Sequence, residues 1–285
     1  MEIKEIVVIS GKGGTGKTTV TSSLIPYFQN VVIGDCDVDA PNLQILFNPQ
    51  NTIKEDFFGM KKALLNKELC IQCGKCYELC KFDAIENIKK CESCGLCEYI
   101  CPVGAIKMSD NKAGEIFESD TKYGKIIHAC LFPGEENSGK LVAEVRKKAK
   151  KTAKEKNIEY IILDGAPGVA CNVISSLTGV KKAVVVTEPT LSGLHDLERV
   201  LNLIERFKIK PYFVINKFDL SKEISDKIEK FLNEKGFEIF VKIPFNKKIV
   251  KSIIRKSIPS IEEKEFFEQI GFKKLAEELM KQGIA

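Results

Sequence analysis

Near the start of the chain, Gly11-Lys12-Gly13-Gly14-Thr15-Gly16-Lys17-Thr18-Thr19 has the residue types and spacing to hold phosphate. Glycines let backbone N–H groups close around phosphate oxygens, and a helix beginning at the loop's end adds positive potential. Lys17 can then reach the β- and γ-phosphates, and the Thr18 hydroxyl can ligate Mg²⁺. A second set of residues points to sulfur chemistry. Cys70-x2-Cys73-x2-Cys76-x3-Cys80 recurs 21 positions later as Cys91-x2-Cys94-x2-Cys97-x3-Cys101, the second run followed by Pro102. That spacing suits two [4Fe-4S] clusters, because each close triplet grips one cubane face and the fourth thiolate crosses to the other cluster. One cluster is then expected on Cys70, Cys73, Cys76 and Cys101, the other on Cys91, Cys94, Cys97 and Cys80. Zinc competes poorly, since four-cysteine zinc sites pair two Cys-x2-Cys hooks and have no use for triplets.

Three further groups lie where strands are expected to end. Asp35-Cys36-Asp37-Val38-Asp39 follows a short apolar run, Tyr160-Ile-Ile-Leu-Asp164-Gly-Ala-Pro-Gly168 is an apolar run ending in an acid and a turn, and Asn216-Lys217-Phe218-Asp219 closes another. The elements that must position them are β-branched runs separated by helical patterns: Ile6–Ile9, Val31–Ile33, Tyr160–Leu163, Ala183–Val186, Tyr212–Ile215 and Ile239–Val241. Such runs read as strands buried on both faces of a mainly parallel, doubly wound α/β sheet, with ligands at the strands' carboxyl ends. The pattern disappears between Asn66 and about Asp110, which is the duplicated cysteine stretch. Residues 1–65 and 111–285 are therefore expected to form one α/β domain, and 66–110 a small α+β insert.

Composition narrows the class. A chain of 285 residues with 44% hydrophobic and 29% charged residues can close a sizeable core, which excludes disorder. The formal charge of +5 is a small excess spread along a Lys- and Glu-rich chain, so nucleic acid is not an expected partner. No secretory leader and no apolar run of membrane-spanning length is read, and eleven cysteines in a reducing compartment imply metal or redox chemistry, so a cytoplasmic protein is expected. The lysine-rich stretch 138–157 reads as a solvated helix face, and the C-terminal pattern of Phe266, Phe267, Ile270, Leu275 and Leu279 as a helix packed on the core.

The second loop lysine, Lys12, resembles the deviant Walker A signature of the MinD, ParA, Mrp and nitrogenase iron protein superfamily, and the cysteine stretch resembles a bacterial two-cluster ferredoxin. The whole chain is similar to MinD-superfamily ATPases carrying such an insert soon after switch I, and Glu135–Lys140 and Thr187–Thr190 also look like that family. The resemblance implies a Mg²⁺-dependent ATPase that forms a nucleotide-dependent homodimer, or a heterodimer with a related ATPase. Within it Lys12 would reach the facing subunit's nucleotide, Asp35 support the Mg²⁺ shell, Asp37 position the attacking water, Asp164 orient Mg²⁺ through water, and Asn216 lie against adenine. Electron delivery from two [4Fe-4S] clusters to a redox partner is the expected role. An iron-sulfur carrier similar to the Mrp type is the alternative, weakened because no Cys-x2-Cys pair follows Cys101. Cys171, seven residues after Asp164, and Cys130, expected in a loop, resemble the positions from which nitrogenase iron proteins hold a shared cluster, although two small buried core residues account for them more simply.

Overall fold

The computed structural model describes residues 2–281, which fall into two compact units. The first comprises the described residues up to Lys54, then 116–129, then those from 138 onward; the second comprises 55–115 with 130–137.

The strands are β1 (Lys4–Ser10), β2 (Val31–Asp35), β3 (Gln50–Phe58), β4 (Lys62–Leu65), β5 (Ile106–Ser109), β6 (Lys112–Thr121), β7 (Gly124–Leu131), β8 (Tyr160–Pro167), β9 (Lys182–Thr187), β10 (Lys210–Asn216) and β11 (Ile239–Ile243). The helices are α1 (Lys17–Leu24), α2 (Lys75–Leu79), α3 (Leu96–Ile100), α4 (Ser138–Glu155), α5 (Cys171–Leu177), α6 (Leu191–Phe207), α7 (Lys222–Glu234), α8 (Lys247–Ile254), α9 (Pro259–Glu262), α10 (Lys264–Gln269) and α11 (Phe272–Met280).

Among the described residues the main sheet runs β11-β10-β9-β1-β8-β2-β7-β6-β3, and its pairs from β11 through β7 are parallel. Each of the six apolar runs lies in one of these strands. Burial on both faces follows from the winding: Ile6 and Val8 join Val20 and Leu24 of α1 and Phe267, Phe272, Leu275 and Leu279 near the C-terminus in one core. Val7 and Ile9 alternate to the other face, where α4, α5 and α6 pack on β2, β8, β1 and β9. The α10–α11 pattern is therefore core material, as its balanced charges suggested. On α4, Arg146 departs from the solvated-face expectation: it is buried and bidentate to Glu5 of β1 at 3.0 Å.

In the second unit β4 and β5 pair antiparallel, Lys62 opposite Ser109 and Leu65 opposite Ile106. The duplication is written in the backbone. Left-handed residues fall at matching places, Gln72 and Ser93, Gly74 and Gly95, Asp83 and Gly104, and α2 and α3 begin and end 21 positions apart. The unit extends beyond the 66–110 expected from sequence, because β4 and the segment 130–137 lack the β-branched periodicity that would have flagged them. Cys130, expected in a loop, lies within β7 and is half-buried, while Cys171 is exposed at the start of α5.

Candidate functional site

The phosphate loop joins β1 to α1. Gly16 caps α1 with φ 89°, a conformation that L side chains rarely adopt, and a Cβ there would stand 2.2 Å from the Asn216 side-chain nitrogen. Asn216, at the end of β10, donates that nitrogen to the Thr15 carbonyl at 2.7 Å, so the loop is tied to the strand carrying the Asn216–Asp219 group. Lys217 adds a bond to the Gly14 carbonyl at 3.1 Å.

Asp164, fully buried within β8, organises the loop's far side. Its carboxylate accepts from Thr18 Oγ1 at 2.7 Å and Thr21 Oγ1 at 2.6 Å, and Lys17 Nζ lies 2.8 Å from Oδ1. Burial works to lower the Lys17 pKa, but Asp164, Asp35 and Asp37 together outweigh it and hold the ammonium above its ordinary value. Lys17 is therefore charged at the loop. Its contact with Asp164 is an ion pair without hydrogen-bond geometry, and Thr15 Oγ1 is likewise buried without a hydrogen-bond partner among the described residues. Both are donors that a phosphate's oxygens would satisfy, so the residues fit a nucleotide.

Asp35, at the end of β2 and opposite Asp164 in register, accepts backbone N–H bonds from Asp37 (3.0 Å), Asn42 (3.2 Å) and Leu43 (3.1 Å). Burial, with the Asp164 charge beside it, pushes its pKa up to about 7; burial also raises Asp37, which is less enclosed. Thr18 bonds Asp164, Asp35 lies opposite it in register, and Asp37 feels its charge, so all four oxygen-bearing side chains stand beside the loop without closing into a ready-made metal site among the described residues. Asp39 is exposed.

Lys12 is held within its own chain. Its Nζ lies 3.0 Å from Glu188 Oε1 and bonds Thr190 Oγ1 at 2.9 Å and Ser192 Oγ at 2.8 Å, while Lys217 takes the other Glu188 oxygen at 2.9 Å. Burial pushes Glu188 upward, but the two lysines overcome it and hold the carboxylate below its usual range. Glu188 as the partner of both lysines was not legible beforehand, although it sits in the Thr187–Thr190 segment singled out above. Asp219 accepts the Phe245 N–H at 2.6 Å, which occupies one of its oxygens.

In the second unit, Cys80, Cys91, Cys94 and Cys97 line one cavity together with Ala63 and with Cys76 of the other expected set. No three Cys, His, Asp or Glu side chains converge as a ligand group among the described residues, and Cys73 and Cys94 are exposed. Backbone donors nevertheless face the sulfurs in the repeat: Ala84 N–H lies 3.4 Å from Cys80 Sγ, Ala105 N–H 3.1 Å from Cys101 Sγ, and Gln72 N–H 3.4 Å from Cys70 Sγ. For Cys101, desolvation opposes ionisation, but the N–H groups of Val103, Ala105, Ile106 and Gly104 outweigh it and lower the thiol's pKa. Amides aimed at sulfur and thiols from both repeats around one cavity are a donor set that fits iron-sulfur ligation.

Fold and loop together define a P-loop nucleotide-binding protein. Residues 6–259 match the CobQ/CobB/MinD/ParA nucleotide binding domain, and the chain belongs to that family. Two proteins of Methanocaldococcus jannaschii, the uncharacterized MJ0578 and MJ0579, are 35% and 31% identical over 261 residues, covering 89% and 88% of this chain and 89% of each relative. MinD of Bacillus subtilis is 24% identical over 206 residues, 70% of this chain and 59% of that protein. Among solved structures, septum site-determining MinD of Pyrococcus horikoshii, complexed with Mg-ADP, superposes with a TM-score of 0.59 at 20% identity, covering 98% of this chain and 96% of that one, a likeness of fold. No described helix is long and apolar enough to cross a membrane.

Proposed function

We propose that this chain is a cytoplasmic, Mg²⁺-dependent ATPase whose nucleotide cycle is coupled to electron transfer from two [4Fe-4S] clusters to a redox partner. The nucleotide domain is taken as 1–65 with 111–285, and the insert as 66–110. Gly11, Lys12, Gly13, Gly14, Thr15, Gly16, Lys17, Thr18 and Thr19 would wrap the phosphates, and Asn216, its amide nitrogen already on the Thr15 carbonyl, would turn its oxygen to the adenine amino group. The engagement of Asp219 with Phe245 favours ATP over GTP, because guanine reading requires that carboxylate to accept two base protons.

With nucleotide bound, Lys17, now on Asp164, would hold phosphate oxygens, and Thr18, Asp35 and Asp164 would be the residues that hold Mg²⁺, Asp164 through water; the ion would supply charge stabilisation of the phosphates. Asp37 would position the attacking water. Lys12 would leave Glu188 for the nucleotide of a facing subunit, in a homodimer or with a related chain, so turnover requires assembly.

One observation carries the redox half of this reading: the cysteine-bearing stretch has almost no apolar core. Within 66–110 the buried hydrophobics are Ala84, Ala105 and Ile106, while Leu69, Ile71, Tyr77, Leu79, Phe82, Ile88, Leu96, Tyr99 and Val103 are exposed. So small a stretch has too little burial to hold its shape without a staple, and the eight cysteines offer one. Clusters held there would supply one-electron transfer. The exposure of Cys73 and Cys94 favours a second reading, a carrier that hands its cluster on. Anaerobic purification decides between them. Electron transfer requires about eight iron and eight sulfide per chain, retained while ATP changes the rate of cluster reduction; loss of iron to an apo-acceptor supports the carrier, and a colourless zinc protein defeats both. Lys12→Ala should lower turnover more than nucleotide binding, and equal loss of binding in Lys12→Ala and Lys17→Ala would remove the role across the dimer.

A further inference from the structure

The segment 130–137 runs from the last two residues of β7 to the start of α4, yet it belongs to the cysteine unit. What fastens it is specific. Glu135, mostly buried, receives Lys62 Nζ on both oxygens at 3.0 Å and Asn111 Nδ2 on Oε2 at 2.7 Å. The backbone follows suit, with Phe132 N–H on the Ala113 carbonyl at 2.8 Å and Gly59 N–H on the Asn111 carbonyl at 3.0 Å.

Lys62 opens β4, and its neighbours on either side touch the thiol site. The Lys61 carbonyl accepts the hydroxyl of Ser93, inside the second cysteine run, and Ala63 lines the cavity with Cys80, Cys91, Cys94 and Cys97. Three consecutive residues therefore join the second cysteine run to Glu135. At its other ends the same segment leads to nucleotide residues. His128, two positions before Cys130, pairs with Asp35 in register, and a Cβ on Gly139, the second residue of α4, would meet Ser175 and Cys171 of α5, the helix that follows Asp164–Gly168.

We propose that Lys62, Glu135 and Asn111 form a latch that makes 130–137 move as one with the Cys80/Cys91/Cys94/Cys97 site, so that nucleotide state, felt at β7 and α4, is reported to the thiols. The latch residues bond one another and not a cysteine sulfur; they are positioning residues. The proposal rests on the function argued above for what the signal does, but not for its existence, since the linkage is made by the chain's own side chains.

Hydrogen–deuterium exchange of the full chain, without nucleotide and with Mg-ADP or a non-hydrolysable ATP analogue, tests it segment by segment. In the unaltered protein, nucleotide should change protection in 130–136 and, in step, in 59–63 and 91–95. In Lys62→Met or Glu135→Gln, exchange in 59–63 and 130–136 should rise about tenfold. Nucleotide affinity should stay within about twofold, and the nucleotide response should stop at 130–136. Exchanging the charges, Lys62→Glu with Glu135→Lys, should restore the coupled response, which also separates loss of the latch from loss of the fold. A wild-type response confined to 130–136, or absent from both segments, overturns the latch, as does coupling that survives either single variant. Iron-free protein in which the segments still respond together would retire the iron-sulfur reading and leave the latch standing; full iron content with no coupled response does the reverse.

Discussion

In the nucleotide unit, Asp164 is fixed by Thr18, Thr21 and Lys17 within a strand whose residues are buried on both faces. In the cysteine unit, Cys80 and Cys101 are fixed by a repeated backbone path, with amide donors on sulfur and few buried apolar neighbours. The first arrangement holds its site by hydrophobic burial and can be assembled before any ligand arrives. In the second, the clusters proposed above would do the work of a core, so that site and fold would stand or fall together.

The sharpest way to break the comparison is to deny the cysteine unit the clusters proposed for it. Anaerobic chelation, or Cys94→Ser with Cys97→Ser, should cost the cysteine unit on the order of 10 kcal/mol of ligand-derived stability and open it to limited proteolysis, while nucleotide binding by the remainder persists. Nucleotide binding lost in parallel would mean that the two units do not differ in this way. Next come paired truncations. Phe213→Ala, at a fully buried position, should cost about 3–5 kcal/mol in denaturant unfolding, whereas Leu64→Ala, 64% exposed, should cost under about 0.5 kcal/mol. Asp164→Asn should lower ATP turnover on the order of a hundredfold or more while leaving iron content unchanged, as single-turnover assays and iron analysis would show.

The remaining effect is one of pH, and two opposed groups blunt it. His128 is buried against Phe117, ring centroids 4.8 Å apart, and burial lowers its pKa to about 4. The unfolded chain then binds a proton between about pH 6.5 and 4 that the fold does not, so this contribution, on the order of 3 kcal/mol, is lost as pH falls through that window. Asp35, raised to about 7 by burial, works in the opposite sense: the fold keeps a proton that the unfolded chain releases, so its contribution is lost as pH rises from about 4 to 7. The two slopes partly cancel. Asp35→Asn should therefore steepen the acid limb of a thermal-stability profile, and His128→Phe should flatten it.

Legibility from sequence divided along the same line as stability. The parallel strands were readable because burial on both faces leaves unbroken runs such as Ile6–Ile9, and the phosphate loop because its glycines and Lys17 have few other uses. The strand β3, Gln50–Phe58, was not: all but Phe57 of its residues are exposed, and its composition is polar. Nor were β6 and β7, whose junction at Lys122-Tyr123 carries no Gly-rich dipeptide and is closed by Thr121 Oγ1 on the Gly124 carbonyl at 2.7 Å. At the site, the residue types were visible and their bonds were not. Glu188 between Lys12 and Lys217, Asn216 on Thr15, and Glu5 beneath Arg146 join residues far apart in the chain, and spacing holds no trace of such pairs.

The pairing of Lys62 with Ser109 has a consequence for how the chain folds. Strands β2 and β7 are neighbours in the sheet, yet Asp35 and Gly124 are separated by the whole cysteine stretch, and closing so long a loop carries an entropic cost that grows with its length. When β4 and β5 zip together they short-circuit most of that loop and bring the flanking segments within reach before the sheet is complete. A stretch assembled around metal would thus act as a scaffold during biosynthesis: starved of iron, the chain should complete its sheet late and populate an open-edged intermediate at β2, the kind of edge on which aggregation begins.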